Sequence, residues 1–227
     1  MATHSRTKTV EQMTGQRYDL DMLTPEEIES NWKRFYSLCE KTGERAPAIA
    51  AMLDELDERL CLCPASGKVD YHNAFPGGLV DHSLRVLNNV VALNKTYGWN
   101  LPKESMIIGA LFHDIGKVGL PGKDASNDFY IEQKDQYWRD KRGEVYTYNN
   151  DVKYMTTGDR SVFVLQHYGV KLLPDEWLAV KLNDGFVVLE NKPYCLKISP
   201  LVFAVQTADY ISTMVEKPGA VTGWVEV

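Results

Sequence analysis

Ala110-Leu111-Phe112-His113-Asp114-Ile115-Gly116-Lys117 sets an imidazole beside a carboxylate at the end of an apolar run, just before a glycine. Burying that pair costs free energy unless hydrogen bonds or a cation compensate it. A metal takes a neutral imidazole together with an ionised carboxylate. Two segments farther out can supply more ligands. Upstream, in Gly77-Gly78-Leu79-Val80-Asp81-His82-Ser83-Leu84, His82 lies one helical turn from Leu79 and from Val86, which points it toward the core. Downstream, Asp209 interrupts the apolar Thr207-Ala208-Asp209-Tyr210-Ile211, where a lone buried carboxylate again asks for a partner. His82, His113, Asp114 and Asp209 are therefore the candidate metal ligands, each in a segment that reads as helix.

This H…HD…D pattern resembles the HD superfamily of metal-dependent phosphohydrolases over roughly residues 70 to 216. The details extend past the four ligands: Gly77-Gly78 before the first helix, a small and apolar approach to His113, Gly116-Lys117 after the pair, and Ala208-Asp209-Tyr210 around the last carboxylate. The resemblance implies an all-α fold, an HD-domain helical bundle, here with an inserted aromatic-rich loop or β-hairpin at about 119 to 156. In two-metal members, histidines at two further places complete a second site. This chain departs there, with Thr157 or Asp159 at the first and Asn183 or Asp184 at the second, so one divalent ion is expected. The mixed nitrogen and oxygen set suits Mn, Fe, Co, Ni or Zn, or Mg, without choosing among them.

The 227 residues, 44% of them hydrophobic, suit one globular domain, read as 24 to 227 after a polar N-terminal arm at 1 to 23. No apolar run approaches the ~20 residues of a membrane span, and no signal core opens the chain. A cytoplasmic protein is expected. The four cysteines lack regular spacing and read as free thiols; a zinc reading of Cys61, Cys63 and His72 has no fourth ligand. A net charge of −6 without a basic run argues against long nucleic acids as partners and toward a small molecule.

Thr24-Pro25-Glu26-Glu27 is a helix start with a capping box, leading a helix to about Lys41. A second helix spans about Pro47 to Leu60, with Ile49, Met52, Leu53, Leu56 and Leu60 on one face. Pro64 to Gly78 reads as a loop whose His72 and Asn73 either line the site mouth or face solvent. Helices follow at Leu79 to Tyr97, from Pro102 to His113, from Thr157 to His167, and from Ser199 and Pro200 through Asp209. In the insertion, Gln136 to Arg139 and Glu144 to Tyr148 flank a turn at Asp140 to Gly143, predicting a hairpin. Its Trp138 and Arg139 are candidates for a lid that stacks a base and neutralises phosphate; a packing flap is the plainer alternative.

Two histidines and two carboxylates leave coordination positions open, the arrangement of a catalytic site with water as nucleophile. Lys117, Arg85 and Arg160 are candidates for the phosphate, each also readable as a structural or surface cation. Asp81 or Asp184 is the candidate general acid or base. The four-ligand pattern is similar to the 5′-deoxynucleotidases and deoxynucleoside triphosphate triphosphohydrolases of the superfamily, implying a small nucleotide substrate. The stretch Phe75 to His82 is also similar to the HD domain of certain bacterial 3′ to 5′ exoribonucleases, so a nuclease is the alternative; a non-catalytic nucleotide-binding HD protein is a third. The whole chain is similar to HD-domain proteins of bacteriophages, which implies action in a host cytoplasm.

Overall fold

The computed structural model describes residues 22–217. The expected N-terminal arm, apart from residues 22 and 23, and the tail after Lys217 lie outside the described residues. Helix α1 (Pro25–Cys39) starts as its sequence dictates: the Glu27 amide donates to Thr24 Oγ1 (3.2 Å) and the Thr24 amide to Glu27 Oε2 (2.7 Å). Helix α2 (Ala46–Cys61) buries Ile49, Met52, Leu53, Leu56 and Leu60, and each such side chain removed from water contributes about 1.5–3 kcal/mol.

Helix α3 (Gly78–Tyr97) explains the Gly77-Gly78 pair. Gly77 has φ +83°, and a Cβ on Gly78 would lie 2.2 Å from the Asn73 carbonyl oxygen. The loop from Pro64 can therefore enter the helix only through two residues without side chains. Helix α4 (Lys103–Phe112) is buried from Ser105 to Phe112 and is the central rod of the bundle. A 3₁₀ turn (Ile115–Val118) ends it after the His113-Asp114 pair. Helices α6 (Thr157–His167), α7 (Pro174–Lys181) and α8 (Pro200–Glu216) complete the bundle, with α3 and α4 packed against α8 and α6 against the 3₁₀ turn. Among the described residues the architecture is all-α with one small sheet.

The insertion is built differently from the predicted hairpin. Gln136–Arg142 is a helix, α5, and not a strand. Asp135 caps it by accepting from the Tyr137 amide (2.8 Å), Gly143 closes it, and Arg139, Lys141 and Arg142 in its last turn favour the negative end of the helix. Local capping thus outweighs the aromatic content that suggested a strand. The antiparallel pair is β1 (Tyr130–Glu132) with β2 (Tyr146–Tyr148), Tyr130 opposite Tyr148 and Glu132 opposite Tyr146.

Candidate metal centre

Helix α3 contributes His82, the end of α4 His113 and Asp114, and α8 Asp209. The two Nε2 atoms stand 3.3 Å apart. Asp209 Oδ1 lies 3.1 Å from His82 Nε2 and 4.0 Å from His113 Nε2; Asp114 Oδ2 lies 4.0 Å and 3.5 Å from the same atoms. Both imidazoles are fully buried.

Their outer nitrogens fix the chemistry of the inner ones. His113 Nδ1 is 2.8 Å from the Ala110 carbonyl oxygen, which only accepts, so Nδ1 carries the proton and the neutral ring's Nε2 offers a lone pair. His82 Nδ1 is 2.8 Å from Glu216 Oε2, a carboxylate that fixes the same tautomer. Two lone pairs facing at 3.3 Å beside two carboxylates require a cation between them. The proton that can serve is held tightly: burial opposes charge on His82, but Asp209 and Glu216 outweigh it and push the ring up to about 9. A divalent ion would meet the same demand: His82, His113 and Asp209 bring ligand atoms within 4.8 Å of one another, with Asp114 Oδ2 3.5 Å from His113 Nε2, so the residues fit one.

Asp114 is stabilised as an anion. Burial works against its charge, yet Lys117, with Nζ 2.5 Å from Oδ2, and the two histidines hold its carboxyl far below the usual range. The Asn183 amide donates to Oδ1 at 2.6 Å. The pair is also braced from behind. Ser161 Oγ donates to the His113 carbonyl oxygen (3.0 Å) and accepts from the Gly116 amide (2.9 Å). A Cβ on Gly116 would meet Ser161 N and Thr157 O, each at 2.6 Å, so α6 sits directly on the turn.

The remaining predicted residues occupy varied places. Asp81 accepts from Asn31 (3.1 Å) and Asn73 (3.0 Å) and pairs with Arg85 (3.4 Å). Arg85 also donates to Glu216 Oε1 (2.8 Å). Arg160 is fully buried, its guanidinium 3.8 Å from the Phe129 ring and bonded to the Gly116 and Met155 carbonyls. Trp138 is exposed on α5, and Arg139 turns to Glu132 and the Gln133 carbonyl of its own segment. Asp159 is paired with Lys181 (2.8 Å). Asp184 is exposed as a residue, yet partial desolvation of its carboxyl, with the charge of Asp114 second, raises it to about 6. It lines a cavity of about 810 Å³ together with Arg160 and Tyr148.

Sequence reasoning missed Glu216, although it stands two helical turns after Asp209 on the same face, a spacing that could have flagged it. It also left His72 undecided. The His72 ring lies 4.8 Å from that of His82, and burial first, then Lys117, keeps it well below its ordinary pKa and neutral. His72, His82 and Glu216 could themselves gather round an ion, but the Glu216 charge is already matched by Arg85. Among the described residues no group that could hold a metal includes a cysteine.

Among known protein families, the HD domain matches residues 79–214, more than half the chain. The chain belongs to the HD domain family. HD domains bind divalent metals and are in general metal-dependent phosphohydrolases, and His82, His113 and Asp209, which could hold an ion, lie within the matched span together with Asp114. No curated protein and no solved structure shows a significant match. No helix among the described residues is long and apolar enough to cross a membrane.

Proposed function

We propose that the protein hydrolyses a phosphoester of a small nucleotide, a deoxynucleoside mono- or triphosphate, with water as the attacking group. The observation that carries this reading is the convergence of the His82 and His113 Nε2 atoms, 3.3 Å apart, with Asp209 and Asp114. A divalent ion held by those four residues supplies Lewis acidity, bringing the pKa of water toward neutrality and drawing charge from a phosphoryl oxygen. Lys117 reaches Asp114 from a cavity wall and offers its remaining hydrogen-bonding capacity to a phosphate. Asp184, raised to about 6, retains a proton close to neutral pH and can deliver it to the leaving oxygen. Arg85 and Arg160 are engaged by Glu216 and by backbone carbonyls, and in this reading they support the site from behind.

Substrate size follows from the surroundings. Cavities of about 340 and 810 Å³ flank the ligand cluster, within the ~300–1,000 Å³ range of small-molecule sites. The net charge of −6 supplies little attraction for a long polyanion. Such an activity belongs with a soluble nucleotide pool, in the cytoplasm.

The test is incubation with Mn, Co or Mg and a panel of deoxynucleoside mono-, di- and triphosphates plus short labelled RNA and DNA, with Asp114→Ala as control. Phosphate or triphosphate released by the wild type alone is the expected result. Shortened oligonucleotides with intact nucleotides would put a 3′ to 5′ exonuclease in its place, and no turnover with any ion would leave a nucleotide-binding protein.

A further inference from the structure

The cavity of about 340 Å³ beside the metal centre lies between the loop from Ala65 to His72 and the β1–β2 flap. Backbone bonds stitch these two walls together. The Val145 and Tyr146 amides both donate to the Gly67 carbonyl (2.9 and 3.1 Å), and the Val69 amide donates to that of Gly143 (2.9 Å). A Cβ on Gly67 would lie 2.7 Å from the Tyr146 carbonyl oxygen, so the walls meet as closely as backbone allows. The cavity is pre-formed, and it borders the centre through Lys117 and His72.

Its lining has polar groups without partners. His72 Nε2 is buried with none. The hydroxyls of Tyr130 and Tyr146, both half-buried, make no hydrogen bond among the described residues. The buried imidazole nitrogen costs free energy until a partner arrives, and the two phenols border the cavity with hydroxyls open to a ligand. The charges, in contrast, are already matched: Lys117 by Asp114 at 2.5 Å and Lys68 by Glu144 at 3.8 Å. Away from Lys117, which borders the centre and takes the phosphate in the nucleotide reading, an anion entering here meets a lysine already paired. A flat, neutral ring with donors and acceptors on its edge finds aromatic faces and three unpaired groups.

We infer that this cavity seats the base of the substrate, a neutral nitrogen heterocycle, and that His72, Tyr130 and Tyr146 determine which base is accepted. The assignment rests on the nucleotide reading above for its substrate, but it is measurable without turnover. The protein, with the metal it carries, is titrated calorimetrically with deoxynucleosides and ribonucleosides, which lack the phosphate. At least one base binds; Tyr130→Phe and Tyr146→Phe each weaken it about tenfold, as the loss of one hydrogen bond does, and His72→Phe weakens it more. Thermal melting of each variant shows that it is folded, and the phenylalanine-for-tyrosine variants keep the test sound if His72→Phe unfolds. Absence of nucleoside binding, or equal binding by wild type and the tyrosine variants, overturns the assignment. Nucleotide hydrolysis whose KM is unmoved in these variants overturns it too while leaving the hydrolase standing. Nucleoside binding lost in the variants, without hydrolysis of any nucleotide, upholds the pocket and removes the hydrolase.

Discussion

His82, His113 and Asp209 are carried by α3, the end of α4 and α8, helices whose inward faces are almost wholly buried, whereas the flap in front of them rests on strands of three residues and a short helix. The helical side is fixed by apolar area, which is insensitive to any single polar contact. The flap is fixed by individually small backbone bonds to the 65–72 loop and by the caps of α5. The two sides therefore divide the work: rigid helices hold reactive groups in register, and a locally determined flap shapes what reaches them.

The largest effect that could break this division is at the centre itself. Asp114→Ala should abolish stoichiometric metal content, measured by elemental analysis, and reduce hydrolysis by on the order of 10³-fold or more; a variant that keeps both would show that the helices do not hold the chemistry. Next, Glu216→Gln should weaken metal binding about 10- to 100-fold, because the amide no longer fixes the His82 ring as a carboxylate does. Competition with a chelating dye reads this directly, without turnover.

A smaller effect comes at the border between the two sides. The folded protein raises the Asp184 carboxyl to about 6, above its unfolded value, so folding favours its protonated form. Stability from this group is present below about pH 4 and is lost as pH rises through 6. Asp184→Asn should therefore gain thermal stability relative to wild type across pH 4 to 6, hold that gain above it, and lose hydrolysis. A melting difference that does not change with pH would refute the shift. Smallest, Asp135→Ala removes the α5 cap and should cost about 1 kcal/mol in urea unfolding while metal affinity stays unchanged. A fall in metal affinity would mean that the flap and the helices are one cooperative unit.

The same division decided what could be read from sequence. The α1 capping box, the apolar faces of α2 and α3, the Ser199-Pro200 start of α8 and the four candidate ligands follow from periodicity and local chemistry, and the described structure contains the corresponding helices. Residues 136 to 142 were misread because aromatic and basic side chains were weighed above Asp135 and Gly143, whose capping decides such a short segment. Glu216 and His72 were hidden for another reason. Their meaning is distance to His82, across 134 residues in one case and a loop in the other; the helical spacing from Asp209 marks the face of Glu216 but not its partner, and no local pattern encodes the place of His72.

The contact between Asn183 and Asp114 limits how crowded the centre becomes. The Asn183 amide holds Asp114 Oδ1 at 2.6 Å, which leaves Oδ2 as the oxygen turned to the histidines. As a ligand Asp114 would thereby offer one oxygen, since chelating through both would first break the bond from that amide. An ion held this way would take fewer oxygens from the protein and would keep more places for solvent and substrate.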